Sequence, residues 1–211
     1  VHKGRLPDRE EIMRRGTAHV LVDESVRKKL SQKTPLRVKH GVDPSTADLH
    51  IGYAVVYLKL KQLQDLGHTI VFLIGDFTAR LGDPTGRTDA RRMRSAEEVR
   101  ALTETYLEQA GKILDMKKTE VRYNSEWYDA MNAETLVGLL ARFSAWRLLE
   151  RDMFLKRRAE GKDLRTSEFI YPILQAYDSV MLKSDLTVIG SDQIFNETQA
   201  RHLQEDFGQK P

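Results

Sequence analysis

The sequence predicts an α/β fold, a doubly wound parallel sheet with a helical insertion. Three observations predict it. Four short β-rich runs stand out: Leu36 to Lys39, Thr69 to Ile74, Glu120 to Tyr123 and Leu186 to Ile189. Stretches with helical periodicity separate them, and strand-helix-strand alternation favours parallel pairing. A chain of 211 residues with 40% hydrophobic content has room for one good-sized core.

Residues 1–34 read as a helical lead ahead of the first strand, and 35–211 as the main domain. The helix after that strand spans about Ile51 to Leu66, where Val55, Leu58, Leu63 and Leu66 recur near helical spacing and Gly67 closes the helix from the C′ position. Another opens at Ser95, with Glu98 three residues on completing a capping box. Helices are predicted across Ala133 to Arg158 with a break near Ser144, then across Ser167 to Leu182 and Gln193 to Phe207. Pro172 removes a hydrogen bond to Glu168, so a kink or a late start is expected there. The segment from about 133 to 165 reads as an insertion, and its charged part, Arg147 to Arg165, as a hairpin at the edge of the core.

Composition narrows the function classes. No run approaches the roughly 18 apolar positions of a membrane helix, and Val1 to Glu11 is charged rather than signal-like, which disfavours secretion and membrane insertion. The chain has no cysteine, so disulfides, thiolate metal sites and cysteine nucleophiles are excluded together, and a cytoplasmic location is the default expectation. A net charge of +3 gives only a mild bias toward polyanions. Two basic clusters are more telling: Arg87, Arg91, Arg92 and Arg94, and the group of Arg147, Arg151, Lys156, Arg157, Arg158, Lys162 and Arg165. Each reads equally as a solvated helix face or an RNA contact. The chain starts at Val1 and stops at Pro211 with no evident terminal signal, so a fragment is expected.

The first strand runs into GVDPSTADLHIGY, residues 41–53, a strand, loop and helix start at the carboxyl edge of the sheet, where open α/β folds bind ligands. A helix N-terminus with free N–H groups suits a phosphate. Gly52 keeps the turn open to a base or ribose. His50 can donate a hydrogen bond to a phosphoryl oxygen, although a lone histidine at a helix start is otherwise read as a cap or surface residue. Tyr171, Gln175 and Asp178, at i, i+4 and i+7, share one helix face and could line a pocket. A buried carboxylate there would accept the proton of a substrate hydroxyl and penalise an analogue that lacks it. Gly82-Asp83-Pro84-Thr85-Gly86 satisfies a plain β-turn. Ser191-Asp192, after Gly190, satisfies a helix N-cap.

These words resemble the class I aminoacyl-tRNA synthetases: His50-Ile51-Gly52-Tyr53 stands where that family carries its His-Ile-Gly-His signature. GVDPSTADLHIGY, FLIGDFTARLGDPTGR from Phe72 to Arg87, and NSEW from Asn124 to Trp127 are similar to the bacterial-type tyrosyl enzymes in particular. The resemblance runs from about Pro35 to Pro211 and implies a Rossmann-like domain that activates L-tyrosine with ATP. It implies that Tyr171, Gln175, Asp83 and Thr78 hold the tyrosine α-amino group, that Asn124 walls the pocket, and that Asp178 reads the phenol. It places Gly41, Asp43, His50, Gly52, Gly190 and Asp192 at ATP, with Gly190 and Asp192 toward ribose and Gln193 toward the tyrosyl carbonyl. His50, Gly52, Tyr53 and Gln193 are the candidates for the catalytic step. It further implies ATP accompanied by Mg²⁺ without a dedicated metal site, tRNA(Tyr) as partner, and a homodimer formed through about Leu136 to Arg165.

Three departures qualify the resemblance. Tyr53 replaces the second signature histidine. Lys39 and His40 stand where many tyrosyl enzymes place a tyrosine for the substrate hydroxyl and a small residue next to ribose, which makes Lys39 a candidate tyrosine contact and loads more of phenol recognition on Asp178. A Lys-Met-Ser-Lys-Ser loop and an anticodon-binding domain are not among the 211 residues, so the chain is expected to bind tyrosine better than it turns over. The alternatives are a non-catalytic RNA- or protein-binding module of synthetase-like fold, and a tryptophanyl enzyme.

Overall fold

The computed structural model describes residues 8–44, 49–81 and 95–211, apart from the side chain of Asp152. In chain order come α1 (Arg9–Arg14), α2 (Asp23–Ser31), β1 (Arg37–Val42), α3 (Gly52–Asp65), β2 (Thr69–Ile74), α4 (Thr78–Leu81), α5 (Ala96–Ala110), β3 (Thr119–Tyr123), α6 (Ser125–Tyr128), α7 (Ala133–Leu140), α8 (Ala145–Leu149), α9 (Asp152–Ala159), α10 (Thr166–Leu182), β4 (Leu186–Thr187) and α11 (Ile194–Asp206). Short 3₁₀ turns at Met116–Lys118 and Ser191–Gln193 lead into β3 and α11.

The described strands form one parallel sheet in the order β3-β2-β1-β4. Arg37 pairs with Thr69 and Val42 with Ile74 between β1 and β2; Ile70 pairs with Thr119 and Ile74 with Tyr123 between β2 and β3. β4 lies on the opposite side of β1, with Val38 opposite Leu186. The chain therefore moves outward from β1 to β3 and then reverses to the far side of β1. Such a reversal opens a crevice at the carboxyl ends of the two strands flanking it.

The sheet is covered on both faces, which is why β2 reads as an unbroken apolar run rather than an alternation. Ile70, Phe72 and Ile74 pack with Tyr57, Leu60 and Leu63 of α3 and Tyr106 and Ala110 of α5. Val71 and Leu73, on the other face, pack with Trp127, Tyr128, Leu174 and Leu182. Burying each Val, Leu, Ile or Phe side chain among these contributes roughly 1.5–3 kcal/mol. Ile12, Met13 and Leu30 of the lead join the α3 side of the core, where Lys59 donates from α3 to the carbonyls of Ile12 and Arg15. A lysine at the end of α1 also complements that helix's dipole.

Several local expectations are met by specific bonds. The His68 N–H reaches the Leu63 carbonyl, the Gly67 N–H reaches Gln64, and Gly67 has φ +91°, the Schellman closure of α3. Ser95 and Glu98 exchange the two bonds of a capping box at the start of α5. Others are corrected. β1 extends past Lys39 to Val42, because Lys39 and His40 find partners inside the protein. The insertion breaks near Ser144 and again at Arg151, giving three helices, and its Leu139 and Leu148 pack against Ile173, Ala176, Ala200 and Leu203 of α10 and α11. The expected late start at Pro172 does not occur, since α10 begins at Thr166. Glu168 accepts the Arg165 N–H at 3.0 Å and pairs with Arg157, which fixes the first turn despite the missing proline donor.

Candidate active site

The loops leaving β1, β2 and β3 deliver polar groups to one face of α10, and two hydrogen-bonded chains run across that face. In the first, Asp43 follows β1 and accepts from Thr78 Oγ1 at 2.8 Å and from Tyr171 Oη at 2.9 Å, one on each oxygen. Thr78 in turn accepts from Asn124 Nδ2 at 3.0 Å. Asn124 Oδ1 takes the Phe77 N–H at 2.9 Å, so its amide nitrogen is the end that faces Asp178 Oδ2 at 3.4 Å. Asp178 Oδ1 accepts from Trp127 Nε1 at 3.0 Å and lies 2.9 Å from Tyr128 Oη. That hydroxyl is also 2.6 Å from the Leu174 carbonyl, and its single proton serves one acceptor at a time. Gly75 makes room for the chain: a Cβ there would lie 1.9 Å from Asp43 Oδ1 and 2.4 Å from Thr78 Oγ1.

Burial dominates the electrostatics of Asp178. It pushes the carboxyl up to about 7 against the opposing pull of the Lys39 ammonium and the hydrogen bonds from Tyr128, Asn124 and Trp127. Near neutrality the group is poised between its charged and neutral forms. Tyr128 is held well above the ordinary phenol range, first by burial and then by the neighbouring carboxylate.

The second chain starts outside the pocket, at exposed Asp192. Gln193 Nε2 donates to Asp192 Oδ2 at 2.8 Å; Asn196 Nδ2 donates to both Gln193 Oε1 and Gln175 Oε1 at 2.8 Å. Gln175 Nε2 donates to Glu197 Oε1 at 2.9 Å. Lys39 completes the chain, its Nζ 3.1 Å from Glu197 Oε1 and 2.6 Å from Ser179 Oγ. Because side chains alternate along β1, Lys39 points toward α10 and His40 points the other way. His40 is buried, neutral, and set against the Val188 carbonyl at 2.8 Å; burial brings its imidazole down to about 4.

The start of α3 is built differently. His50 is exposed, and its Nδ1 accepts the Gly52 N–H at 3.1 Å, which leaves the ring proton on Nε2, a donor available to an anion. A Cβ on Gly52 would stand 2.8 Å from His50 Cε1, so this glycine first makes room for the histidine itself. Tyr53 stacks at a tilt on His50, ring centroids 4.7 Å apart. The expectation of free first-turn amides needs correction. Gly52 N–H is taken by His50, and the Tyr53 and Ala54 amides bond to the His50 and Ile51 carbonyls at 3.0 Å. The His50 ring takes the first amide of the helix that follows it, and the positive dipole end remains.

Of the sequence-predicted residues, the structure links Tyr171, Asp43, Thr78, Asn124 and Asp178 in one chain and Lys39, Gln175, Gln193 and Asp192 in the other. His50, Gly52 and Tyr53 form a separate local group. At Gly41 a Cβ would meet only Leu73, at an ordinary 3.9 Å, while at Gly190 it would meet Asp192 Oδ1 at 2.4 Å. Asp83 and the cluster of Arg87, Arg91, Arg92 and Arg94 lie outside the described residues. In the later basic cluster Arg157 is tied to Glu168, Lys162 to Glu160, and Arg151 lies between the Phe154 and Phe195 rings. The sequence reading missed Gly75, Tyr128, Asn196 and Glu197, whose neighbours are distant in sequence, and gave Trp127 no role beyond its place in NSEW. A separate cavity of about 900 Å³ lies against the lead, lined by charged residues including Asp8, Glu10, Arg14 and Arg27, and contains none of the site residues.

Comparison with known proteins shows the family of the chain. Residues 31–211 match the family described as tRNA synthetases class I (W and Y). A tyrosine–tRNA ligase of Thermotoga maritima is 49% identical over 201 residues, 95% of this chain and 50% of that protein. One from Dehalococcoides mccartyi is 50% identical over 202 residues, 96% of this chain and 51% of that protein. The chain thus spans about half the length of the curated relatives it matches. The fold also aligns with a tyrosyl-tRNA synthetase of Archaeoglobus fulgidus complexed with L-tyrosine. The TM-score is 0.75 at 23% identity, over 95% of this chain and 60% of that one.

Proposed function

The chain belongs to the class I tRNA synthetases of the tryptophan and tyrosine family, and from that premise we propose that it is the tyrosine-activating part of a tyrosine–tRNA ligase. The observation that carries the reading is buried Asp178, whose Oδ1 faces Trp127 and Tyr128 while, among the described residues, Oδ2 has only the longer Asn124 contact at 3.4 Å. A phenol donating to Oδ2 completes the set. A benzyl side chain leaves a buried oxygen without a strong donor, which costs about 1–3 kcal/mol.

The rest of the substrate is read from the two chains and the family resemblance. The tyrosine ammonium lies against Tyr171, Gln175 and Thr78, beside the carboxylate of Asp43; the resemblance adds Asp83, which lies outside the described residues. Its carboxylate lies near Gln193. That carboxylate attacks the α-phosphorus of ATP in line; the new bond joins the carboxyl oxygen to phosphorus, the α–β bridging bond breaks, and pyrophosphate leaves. The reaction needs no protein nucleophile, only positioning and stabilisation of developing charge. ATP enters as its Mg²⁺ complex; among the described residues no group of three His, Cys, Asp or Glu side chains could hold a resident metal. His50 Nε2–H and the dipole of α3 stabilise the phosphoryl oxygens, and Gly41, Gly52, Gly190 and Asp192 border the nucleotide. In the whole protein the tyrosyl group passes to tRNA(Tyr). The whole protein is a homodimer in the cytoplasm; exposed Val137, Trp146 and Leu155 on the insertion, at 63%, 76% and 49%, support a contact there.

Calorimetry on the chain with L-tyrosine, L-phenylalanine and L-tryptophan tests the reading. L-tyrosine binds at least tenfold more tightly than either, and Asp178→Ala removes the preference together with most of the affinity. Equal binding of the three amino acids overturns the assignment and favours a non-catalytic module.

A further inference from the structure

The second chain has a direction, and Asn196 sets it. The two ends of the amide relay are carboxylates, which accept but do not donate when ionised: Asp192 takes Gln193 Nε2, and Glu197 takes Gln175 Nε2. Each glutamine is therefore forced to turn its nitrogen outward and its Oε1 inward, toward the same point. Asn196 stands there, completely buried, and gives one proton of Nδ2 to each oxygen at 2.8 Å. Reversing any one amide would set oxygen against oxygen at that bond. Asn196 Oδ1 has no hydrogen-bond partner among the described residues, so both of its structural bonds run through Nδ2.

We propose that Asn196 is a positioning residue that fixes the amide orientations of Gln175 and Gln193, and so specifies which groups a bound amino acid meets at its ammonium and carboxylate ends. The inference rests on the tyrosine reading of this site. Asn196 touches no substrate; it acts through two side chains on different elements, one on α10 and one at the turn into α11. Glu197 holds the outer end of Gln175 and is itself held by Lys39, which gives Lys39 a supporting part rather than a direct contact. The phenol end, organised by Asn124, Trp127 and Tyr128, takes its hydrogen bonds from the other chain, and Lys39 reaches it only through its charge.

The test uses two ligands, L-tyrosine and 4-ethylphenol, which keeps the phenol and lacks both charged groups. Asn196→Asp, equal in size, puts oxygen where a donor stood and forces one glutamine to turn; L-tyrosine affinity falls about tenfold or more, as loss of a buried hydrogen bond requires. Affinity for 4-ethylphenol, followed by saturation-transfer NMR, stays within twofold. Asn196→Ser, smaller and free of added charge, gives the same split if the first variant does not fold. Unchanged L-tyrosine affinity, or an equal loss for both ligands, overturns the role of Asn196 while leaving the tyrosine reading intact. A parent chain that binds neither compound overturns that reading and the proposal with it.

Discussion

Asp178 is 4% exposed with three side chains around its carboxyl, whereas His50, on the same edge of the sheet, faces solvent and bonds to an amide two residues on. The two regions meet different demands. A neutral phenol offers little long-range attraction, so its pocket has to be dry and prearranged if one hydroxyl is to decide the outcome. A triphosphate arrives with charge and hydration, and the start of α3 offers it a donor and a dipole without a buried cage. Stability is stored at the amino-acid end, and the nucleotide end costs the fold little.

Three experiments can break or sharpen that contrast. The largest effect is expected for Gly52→Ala. The added methyl displaces the His50 ring, so ATP-dependent tyrosyl-adenylate formation drops by about a hundredfold, the scale of losing one charge-stabilising donor, while L-tyrosine affinity stays within twofold. A matched fall in affinity would show that the two ends are one coupled unit. Next comes stability. Tyr128→Phe strips a donor shared by Asp178 and the Leu174 carbonyl and costs about 1–2 kcal/mol by denaturant unfolding, whereas His50→Ala changes stability by less than about 0.5 kcal/mol. Comparable losses would erase the distinction between a buried and an exposed end.

The third experiment varies pH, and its two parts have opposite signs. Burial raises the Asp178 carboxyl to about 7, so the folded state holds that proton more tightly than the unfolded chain. The stabilisation is full below the unfolded value near 4 and is lost as pH rises through about 7. Phenol donation favours the ionised carboxylate, so L-tyrosine affinity moves the other way, falling up to about tenfold per pH unit below 7. Calorimetry and denaturant midpoints between pH 5 and 8 read both trends; Asp178→Asn flattens the affinity trend, and in stability it leaves the opposing slope of buried His40, whose lowered imidazole makes stability fall as pH drops below about 6.5. Affinity that is constant over this range would mean that the carboxyl keeps its proton when tyrosine binds.

Much of the architecture was legible because its signals are local. Thr69 to Ile74 is a strand in the sequence and in the fold; Gly67, and Ser95 with Glu98, announce helix boundaries through bonds that span only a few residues. Helical spacing alone put Tyr171, Gln175 and Asp178 on one face. Tertiary structure decided what surrounds that face. The β-rich run reads as ending at Lys39, yet β1 continues through His40 to Val42: Glu197, more than a hundred residues on, balances the Lys39 charge, Ser179 Oγ accepts from the same ammonium, and the Val188 carbonyl meets one imidazole nitrogen. Asp43 reads as a nucleotide residue in the sequence, and folding adds Tyr171 and Thr78, distant in sequence, as donors to its oxygens. Asn196 carries no sequence signal at all, since an asparagine in a helix becomes informative only when the chain brings Gln175 and Gln193 to its amide. Periodicity and capping are short-range constraints that any reading of the chain can apply. The partner of a buried polar group is chosen by folding, because only the packed interior removes the water that would otherwise satisfy it.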